Sequence, residues 1–237
     1  RKLPRHHFTY LVTKMRRVPR LRLALPEASD LLRRWDAAEP AEHRLAMPEP
    51  VFKAMVVVAL VWRWRRWAAI SEIAFRGPSR VGEPLRALRH HLLLPSDLLD
   101  ARAPAALCIE NPKSAARRGP RVQHVLLRDP GTIARLEAAF NDLAPRDRLY
   151  AGSAGSYRKR WDTILDFLEV PPTVRLTPGG LRGGGAVAAY RAGVPLPQIQ
   201  WQMRLRQTQT LEPYIQEVAA LTALSQLTPD SRRKVAA

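Results

Sequence analysis

Cysteine is nearly absent from the chain: Cys108 is the only one among 237 residues. A single thiol cannot form an intramolecular disulfide, and it is too few for a cysteine-based zinc cluster. The sequence therefore offers neither a disulfide framework nor a metal site to hold the fold together. It also lacks internal repeats, a GxGxxG motif and a GxxxxGKS motif. The glycine-rich segment 179–185 does not end in GKS, so it does not predict a nucleotide-binding loop.

Long hydrophobic runs are missing as well. The most apolar run, residues 54–62, is about half as long as a bilayer-spanning helix, and arginines at 63, 65 and 66 follow it directly. We therefore expect no membrane partner. No targeting segment is visible, and the sequence predicts an intracellular protein, nuclear if the host is eukaryotic. The chain begins at Arg1 rather than at methionine, so we treat it as a fragment whose upstream signals would be out of sight.

Acidic residues are scarce relative to basic ones. The chain has 39 Lys+Arg against 21 Asp+Glu, a formal net charge of +18, while 46% of its residues are hydrophobic, which is typical of a globular protein. A folded chain with this surplus tends to bind polyanions, nucleic acid first and an anionic membrane surface second. Most of the basic residues are arginines, whose forked guanidinium favours phosphate.

Hydrophobic periodicity predicts several helices. They lie at residues 28–38, 51–75, 129–140 and 153–170. In the second helix, the predicted buried face carries Val57, Leu60, Val61, Trp64, Ala68 and Ile73. Tryptophans at 62, 64 and 67 alternate with arginines; this pattern fits a nucleic-acid stacking surface, but we favour core packing with the arginines in solvent.

Two short segments, residues 105–110 and 121–127, are apolar or β-branched in part and flank a turn rich in proline, glycine and basic residues. This pattern predicts an antiparallel hairpin with Cys108 pointing inward as a small core residue. Together with the helices, it indicates a mainly α fold with a small antiparallel β-sheet (α+β). Residues 39–50 contain three prolines and indicate a linker after a basic N-terminal region.

The C-terminal third holds a further helical pattern. Thr177-Pro178 is typical of a helix start, which places Arg182 one turn into a helix. Gly193-Val194-Pro195 indicates a break, after which helices are expected over 197–203 and around Tyr214. The last helix is predicted to continue to about Leu227, after which the chain finishes in a basic tail, residues 232–234.

This region resembles the C-terminal signature of the tyrosine recombinases (phage-integrase type). Arg182 matches the box arginine, residues 193–196 and 199–200 match the connector, and Thr210 and Tyr214 match its end. Upstream, RGPSRVGEPL at 76–85 resembles the first family box, with Arg80 as the catalytic arginine and Glu83 as its accompanying acid. Lys113-Ser114 resembles the hairpin lysine motif. The resemblance covers about residues 45–225.

The resemblance implies a tyrosine recombinase/integrase catalytic-domain fold at residues 45–237. Residues 1–44 would be the basic helical remnant of an N-terminal DNA-clamping (core-binding) domain plus linker; a basic, partly ordered arm is the alternative. Tyr214 would be the nucleophile, Arg80 and Arg182 would bind the phosphate, and Lys113 would protonate the leaving oxygen. The partner would be duplex DNA, bound by a homo-oligomer (dimer or tetramer). Neither a metal nor another cofactor would be needed.

Three positions depart from the family pattern. Gly179 and Gly183 stand where the second box carries histidines, and Leu205 stands at the histidine of the later "GH" pair, whose glycine aligns with Arg204. Acid–base groups contribute on the order of 10²–10⁴ in rate, so cleavage should be impaired unless neighbours substitute. Arg204 and Arg206 are the candidate substitutes. Trp201 is a further candidate hydrogen-bond donor, although it lies four residues early.

Three functions remain open from the sequence. The first is a recombinase, impaired unless neighbouring groups replace the histidines, that integrates a mobile element by DNA strand cleavage and rejoining through a 3′-phosphotyrosine intermediate. The second is a catalytically decayed copy that retains only DNA binding. The third is a basic RNA-associated structural protein unrelated to the family.

Overall fold

The computed structural model describes residues 5–39, 45–110, 112, 122–205, 211, 221 and 223–237. The chain divides into two compact units, Arg1–His43 and Arg44–Ala237. The described part of the first unit consists of helices α1 (Arg5–Met15), α2 (Pro19–Arg22) and α3 (Pro26–Ala38). The rings of Phe8 and Trp35 lie 6.0 Å apart and join α1 to α3.

The second unit is mainly helical and has one small antiparallel sheet, as the sequence predicted. Its elements are α4 (Glu49–Val61), α5 (Arg65–Arg76), β1 (Leu92–Leu93), α6 (Pro95–Leu98), β2 (Ala105–Glu110), β3 (Val122–Leu127), α7 (Pro130–Phe140), α8 (Ala154–Phe167), α9 (Leu181–Arg191), α10 (Leu196–Gln202) and α11 (Pro229–Ala236). None of the helices in the described part of the chain combines the length and the apolar character needed to cross a bilayer.

The helix predicted over residues 51–75 is wrong as a single element. The structure breaks it into α4 and α5 at Arg63, whose φ of 59° is left-handed. Two members of the predicted buried face, Val57 and Val61, are 58% and 72% exposed. The break lets each helix turn its own apolar face to the core, so one helical period cannot describe both.

The tryptophans around this break pack inside the unit. Trp67 is fully buried, and its indole Nε1 donates to the backbone oxygen of Tyr157 at 3.1 Å. Trp62 and Trp64 are half-buried against the core, and the Trp62 ring lies 5.1 Å from that of Phe167. The prediction of core packing rather than a base-stacking surface is therefore confirmed.

The sheet has the order β1-β2-β3, and both pairings are antiparallel. The predicted β2–β3 hairpin is confirmed, with Leu107 opposite Val125. The inward orientation predicted for Cys108 is wrong, because the neighbouring Leu107 and Ile109 fill the core and alternation turns Cys108 to the other face, opposite His124. Partial burial, aided by the charge of Glu110, raises the pKa of the Cys108 thiol, so it is a poor nucleophile.

Helices α7 and α8 begin at the side-chain caps that their sequences favour. Asp129 accepts a hydrogen bond from the Thr132 amide at 2.7 Å, and Ser153 accepts one from the Ser156 amide at 3.0 Å. The predicted helices at these positions are confirmed. Helix α8, predicted over residues 153–170, ends at Phe167. Its buried face consists of Tyr157, Trp161, Ile164 and Leu165.

The basic C-terminal segment is a helix rather than a tail. Thr228 caps α11 by accepting from the Ser231 amide at 3.1 Å. Lys234 Nζ donates to the Phe167 carbonyl at 3.0 Å and pairs with Glu169 at 2.8 Å. These contacts, together with those of α11 to α4, hold the segment against its own unit.

Glycines allow α9 to lie directly on the backbone of α5. A Cβ at Gly185 would overlap the carbonyl oxygen of Phe75, the penultimate residue of α5. A Cβ at Gly184 would overlap the carbonyl oxygen of Met47. The glycine-rich segment therefore serves close packing between backbones, which a side chain of any size would prevent.

We predict that Gly185→Ala lowers the free energy of unfolding by about 2 kcal/mol, measured by urea denaturation. Overpacking against a carbonyl costs about 1–3 kcal/mol and outweighs the gain of about 1 kcal/mol in helix propensity. Gly155→Ala in the first turn of α8 is the matched control, because its Cβ would meet only Ser153 Oγ at 3.5 Å. That variant should be neutral or slightly stabilised; equal effects at both positions would contradict the packing account.

Candidate active site

Arg80 follows α5 in a tightly bonded turn. Ser79 is fully buried, and its amide and hydroxyl donate to the carbonyls of Ala74 and Ile73 at 3.1 and 3.3 Å. These bonds fix the chain just before Arg80. The turn closes when the Glu83 amide donates to the Arg80 carbonyl at 2.7 Å and the Arg80 amide donates to Glu83 Oε2 at 3.0 Å.

The Glu83 carboxylate binds two arginines. Its Oε1 lies 3.3 Å from Arg80 Nη1, and its Oε2 lies 2.6 Å from Arg204 Nη2. The side chains of Glu83 and Arg204 are 3% and 8% exposed, whereas that of Arg80 is 44% exposed. A buried carboxylate thus holds one buried cation and one that reaches solvent.

Arg182 lies on α9 and contacts the residue before Arg204. It is the second residue of that helix, because a short 3₁₀ turn, Pro178–Gly180, replaces the predicted first α-helical turn. Its guanidinium is buried and donates through Nη2 to the carbonyl of Met203, the residue before Arg204. A cation near a helix N-terminus opposes the helix dipole, but this carbonyl at the C-terminal end of α10 has the favourable sign.

Arg204 occupies a backbone position that suits glycine. It follows α10 with a left-handed φ of 55°, and its amide donates to the Trp201 carbonyl at 2.8 Å. This conformation costs a residue with a side chain about 1 kcal/mol. Arg204 Nε and Nη1 are buried, and no hydrogen-bond partner for either is found among the described residues.

The three positions that depart from the family pattern lie close to Arg182 and Arg204 along the chain. Gly179 is in the 3₁₀ turn before α9, and Gly183 is buried one residue after Arg182. Leu205 packs against a small apolar cluster that joins α9 to α10 and contains Ala186, Ile199, Met203 and Leu211. Leu205 therefore contributes packing at the position of the expected histidine.

Three predicted site residues, Lys113, Arg206 and Tyr214, lie outside the described residues. Of the tyrosines that are described, Tyr150 and Tyr157 are buried, and burial raises the pKa of Tyr157. Tyr190 is exposed at the far end of α9. Trp201, considered above as a replacement hydrogen-bond donor, is 63% exposed.

The chemistry of this site suits an oxyanion rather than a cation. Glu83 pairs with Arg80 and Arg204, and Arg182 donates to the carbonyl of Met203, the residue before Arg204. These contacts set one carboxylate against three guanidinium groups, so positive charge is in excess. Among the described residues, no group of three or more His, Cys, Asp or Glu side chains is arranged to hold a metal ion. Forked guanidinium groups bind phosphoryl oxygens in a fixed geometry.

Sequence reasoning gave Arg204 only a supporting role. Its contact with Glu83 joins residues 121 positions apart, so no local spacing reveals it. The left-handed conformation is also hidden, since arginine carries none of the signals that glycine gives. The available signal was its alignment with the glycine of the family's "GH" pair.

Comparison of the sequence with protein-family profiles and with curated proteins found no match. Among solved structures, XerA recombinase is similar with a TM-score of 0.56 and 16% identity, over 79% of this chain and 65% of that one. XerH site-specific recombinase, in a pre-cleavage complex with its difH substrate, is similar with a TM-score of 0.55 and 13% identity, over 94% of this chain and 70% of that one. At such identities the similarity shows the fold. The predicted tyrosine recombinase catalytic-domain fold is thereby confirmed.

We predict that Glu83→Gln lowers the free energy of unfolding by about 3 kcal/mol, because it leaves the buried Arg204 without its counter-charge. Asp162→Asn is the matched control: it removes the carboxylate of an ion pair in which both side chains are 45% exposed. Exposed pairs contribute about 0–1 kcal/mol. Chemical denaturation of both variants measures the difference, and losses of the same size would show that Glu83 is not a buried anchor.

Proposed function

We propose that this chain is a DNA-binding recombinase that cleaves and rejoins strands through a 3′-phosphotyrosine intermediate, as the integrase of a mobile element. A linked set of three arginines carries the proposal: Glu83 joins Arg80 to Arg204, and Arg182 donates to the carbonyl of Met203, the residue before Arg204. In a fold shared with site-specific recombinases, this is a binding place for one phosphodiester. Fold alone would not support the function.

The proposed reaction is a transfer of the phosphoryl group. The Tyr214 phenol oxygen attacks phosphorus, the bond from phosphorus to the 5′ oxygen breaks, and the 3′ phosphate becomes joined to tyrosine. Arg80 and Arg182 stabilise charge on the two non-bridging oxygens, and Lys113 gives a proton to the departing 5′ oxygen. Rejoining reverses these steps with a strand's 5′ hydroxyl, so the energy of the bond is conserved in the intermediate.

The buried position of Leu211 supports Tyr214 as the nucleophile. Leu211 packs in the apolar cluster beside Met203, whose carbonyl accepts from Arg182. Tyr214 is three residues further along the chain, and three residues span at most about 11 Å. We propose that the chain beyond Leu211 brings Tyr214 to the arginines. Tyr157, by contrast, is fully buried and bonded to Ser71, which rules it out as a nucleophile.

The missing histidines predict a slow reaction. A free phenol has a pKa near 10, and without an imidazole its proton must pass to water. Neither Gly179 nor Gly183 can accept it. Both box arginines, Arg80 and Arg182, are retained, however, and Glu83 joins Arg80 to Arg204. We therefore expect cleavage to be retained at a reduced rate.

Binding to duplex DNA is the second part of the proposal. The net charge of +18 supplies the non-specific attraction to phosphates. We propose that residues 1–44 are the remnant of the DNA-clamping domain that precedes the catalytic one. We further propose that the chain acts as a dimer or tetramer on DNA.

A second candidate function is binding without cleavage. The replacement of all three expected histidines by glycine and leucine favours it, because a decayed enzyme keeps its charge and its fold after losing acid–base groups. The two candidates differ in one observable, a covalent bond between Tyr214 and DNA.

We predict a covalent protein–DNA adduct when the full chain is incubated with nicked duplexes that carry candidate element ends. After cleavage, the short fragment between the cleaved bond and the nick, which carries the 5′ hydroxyl, diffuses away. The phosphotyrosine therefore accumulates and survives denaturing electrophoresis. Tyr214→Phe should abolish the adduct, whereas the control Tyr190→Phe, at an exposed tyrosine of α9, should retain it.

An adduct that persists in Tyr214→Phe would refute the assignment of the nucleophile. No adduct with any duplex, while duplex binding remains, would favour the binding-only candidate. Binding that shows no preference for duplex DNA over RNA would contradict both and favour a basic RNA-associated structural protein.

A further inference from the structure

Glu83 links Arg80 to Arg204 through both of its oxygens. Oε1 lies 3.3 Å from Arg80 Nη1, while Oε2 accepts from the Arg80 amide at 3.0 Å and lies 2.6 Å from Arg204 Nη2. The carboxylate therefore cannot rotate without losing a bond to one of the two arginines. In the pair with Arg204 both side chains are buried, so this charge-assisted contact has a large part in fixing the carboxylate.

The position of Arg204 is unusual for a residue with only a packing role. Its left-handed φ of 55° favours glycine, yet a long cation occupies it. The side chain is 8% exposed and keeps Nε and Nη1 without a hydrogen-bond partner among the described residues. Both features are unfavourable for folding, which suggests that the cation is retained for the site.

Arg80 is the member of the site that solvent reaches. Its side chain is 44% exposed and bound to Glu83 at one nitrogen, so its remaining donors can meet a ligand. Without the carboxylate, Arg80 and Arg204 would be two like charges close together, and Arg80 would turn into solvent. The direction in which its donors point depends on the pair formed by Glu83 and Arg204.

We infer that Arg204 is a positioning residue that acts through Glu83 to orient Arg80 toward a phosphoryl group. This inference rests on the proposed function for its ligand, a phosphodiester. It assigns Arg204 a role that differs from a direct phosphate contact and from packing. In this chain, the cation at the glycine position of the "GH" pair stabilises the arginine of the first box.

The test is a double-mutant cycle with inorganic phosphate as the probe, titrated into the full chain by isothermal calorimetry. The variants are Arg204→Gly, Glu83→Gln and the double variant. Arg80→Ala defines the affinity left when the oriented arginine is absent. Arg86→Ala is the control, since it removes an equal charge from an exposed position in the adjoining 3₁₀ turn.

We expect each single variant to weaken phosphate binding by roughly tenfold, the size of one charge-assisted hydrogen bond. The double variant should be no weaker than Glu83→Gln alone, because both changes break the same path. Arg86→Ala should bind as the unmodified chain does. Glycine removes the left-handed strain, so a purely structural Arg204 would leave phosphate affinity unchanged in Arg204→Gly, which would overturn the inference.

Multiplicative losses in the double variant would also overturn it, since they indicate that Arg204 contacts the phosphate independently. The inference would also be overturned if the unmodified chain bound phosphate no more tightly than the Arg80→Ala variant does. If Arg204→Gly fails to fold, Arg204→Lys takes its place; it keeps the charge but not the fork, and a loss of binding that persists in it supports positioning.

The adduct experiment separates this inference from the proposed function. Coupled phosphate binding without an adduct would sustain the positioning role and reject strand cleavage. An adduct, together with affinity losses that multiply in the double variant, would sustain cleavage and reject the positioning role.

Discussion

The close contact of α9 with α5 is the constraint on which the site depends. Gly185 lies so close to the carbonyl of Phe75 that a Cβ at this position would overlap the carbonyl oxygen. Arg182 is buried at the start of α9, and Arg80 follows the end of α5, so this contact fixes the two helices from which the arginines come. A larger residue at position 185 would separate the helices and, with them, the two arginines that the proposed reaction needs.

Electrostatics then requires a counter-charge, because buried arginines are costly without one. Glu83 supplies it for Arg204 and Arg80, and the C-terminal carbonyl of α10 supplies a partial charge for Arg182. The site remains positive after these pairings, as the proposed phosphate pocket would need to be before its ligand binds. The same residues thus stabilise the fold and prepare the charge that would act on a phosphoryl group.

Local signals predicted much of the fold, because caps and periodicity act over a few residues: the helix that begins after Asp129 and the β2–β3 hairpin both form. The break at Arg63 and the outward face of Cys108 were missed, since both depend on which neighbours fill the core. The contact of Arg204 with a distant carboxylate was missed for the same reason. The catalytic roles of all the site residues stay predictions, and Lys113, Arg206 and Tyr214 lie outside the described part of the chain.

The most direct test of the central claim is a crystal structure of the full chain, as Tyr214→Phe, on the duplex it binds most tightly. The account predicts one backbone phosphate within hydrogen-bonding distance of both Arg80 and Arg182, with Glu83 still joining Arg80 to Arg204. A duplex bound elsewhere on the basic surface, with no phosphate between the two arginines, would contradict it.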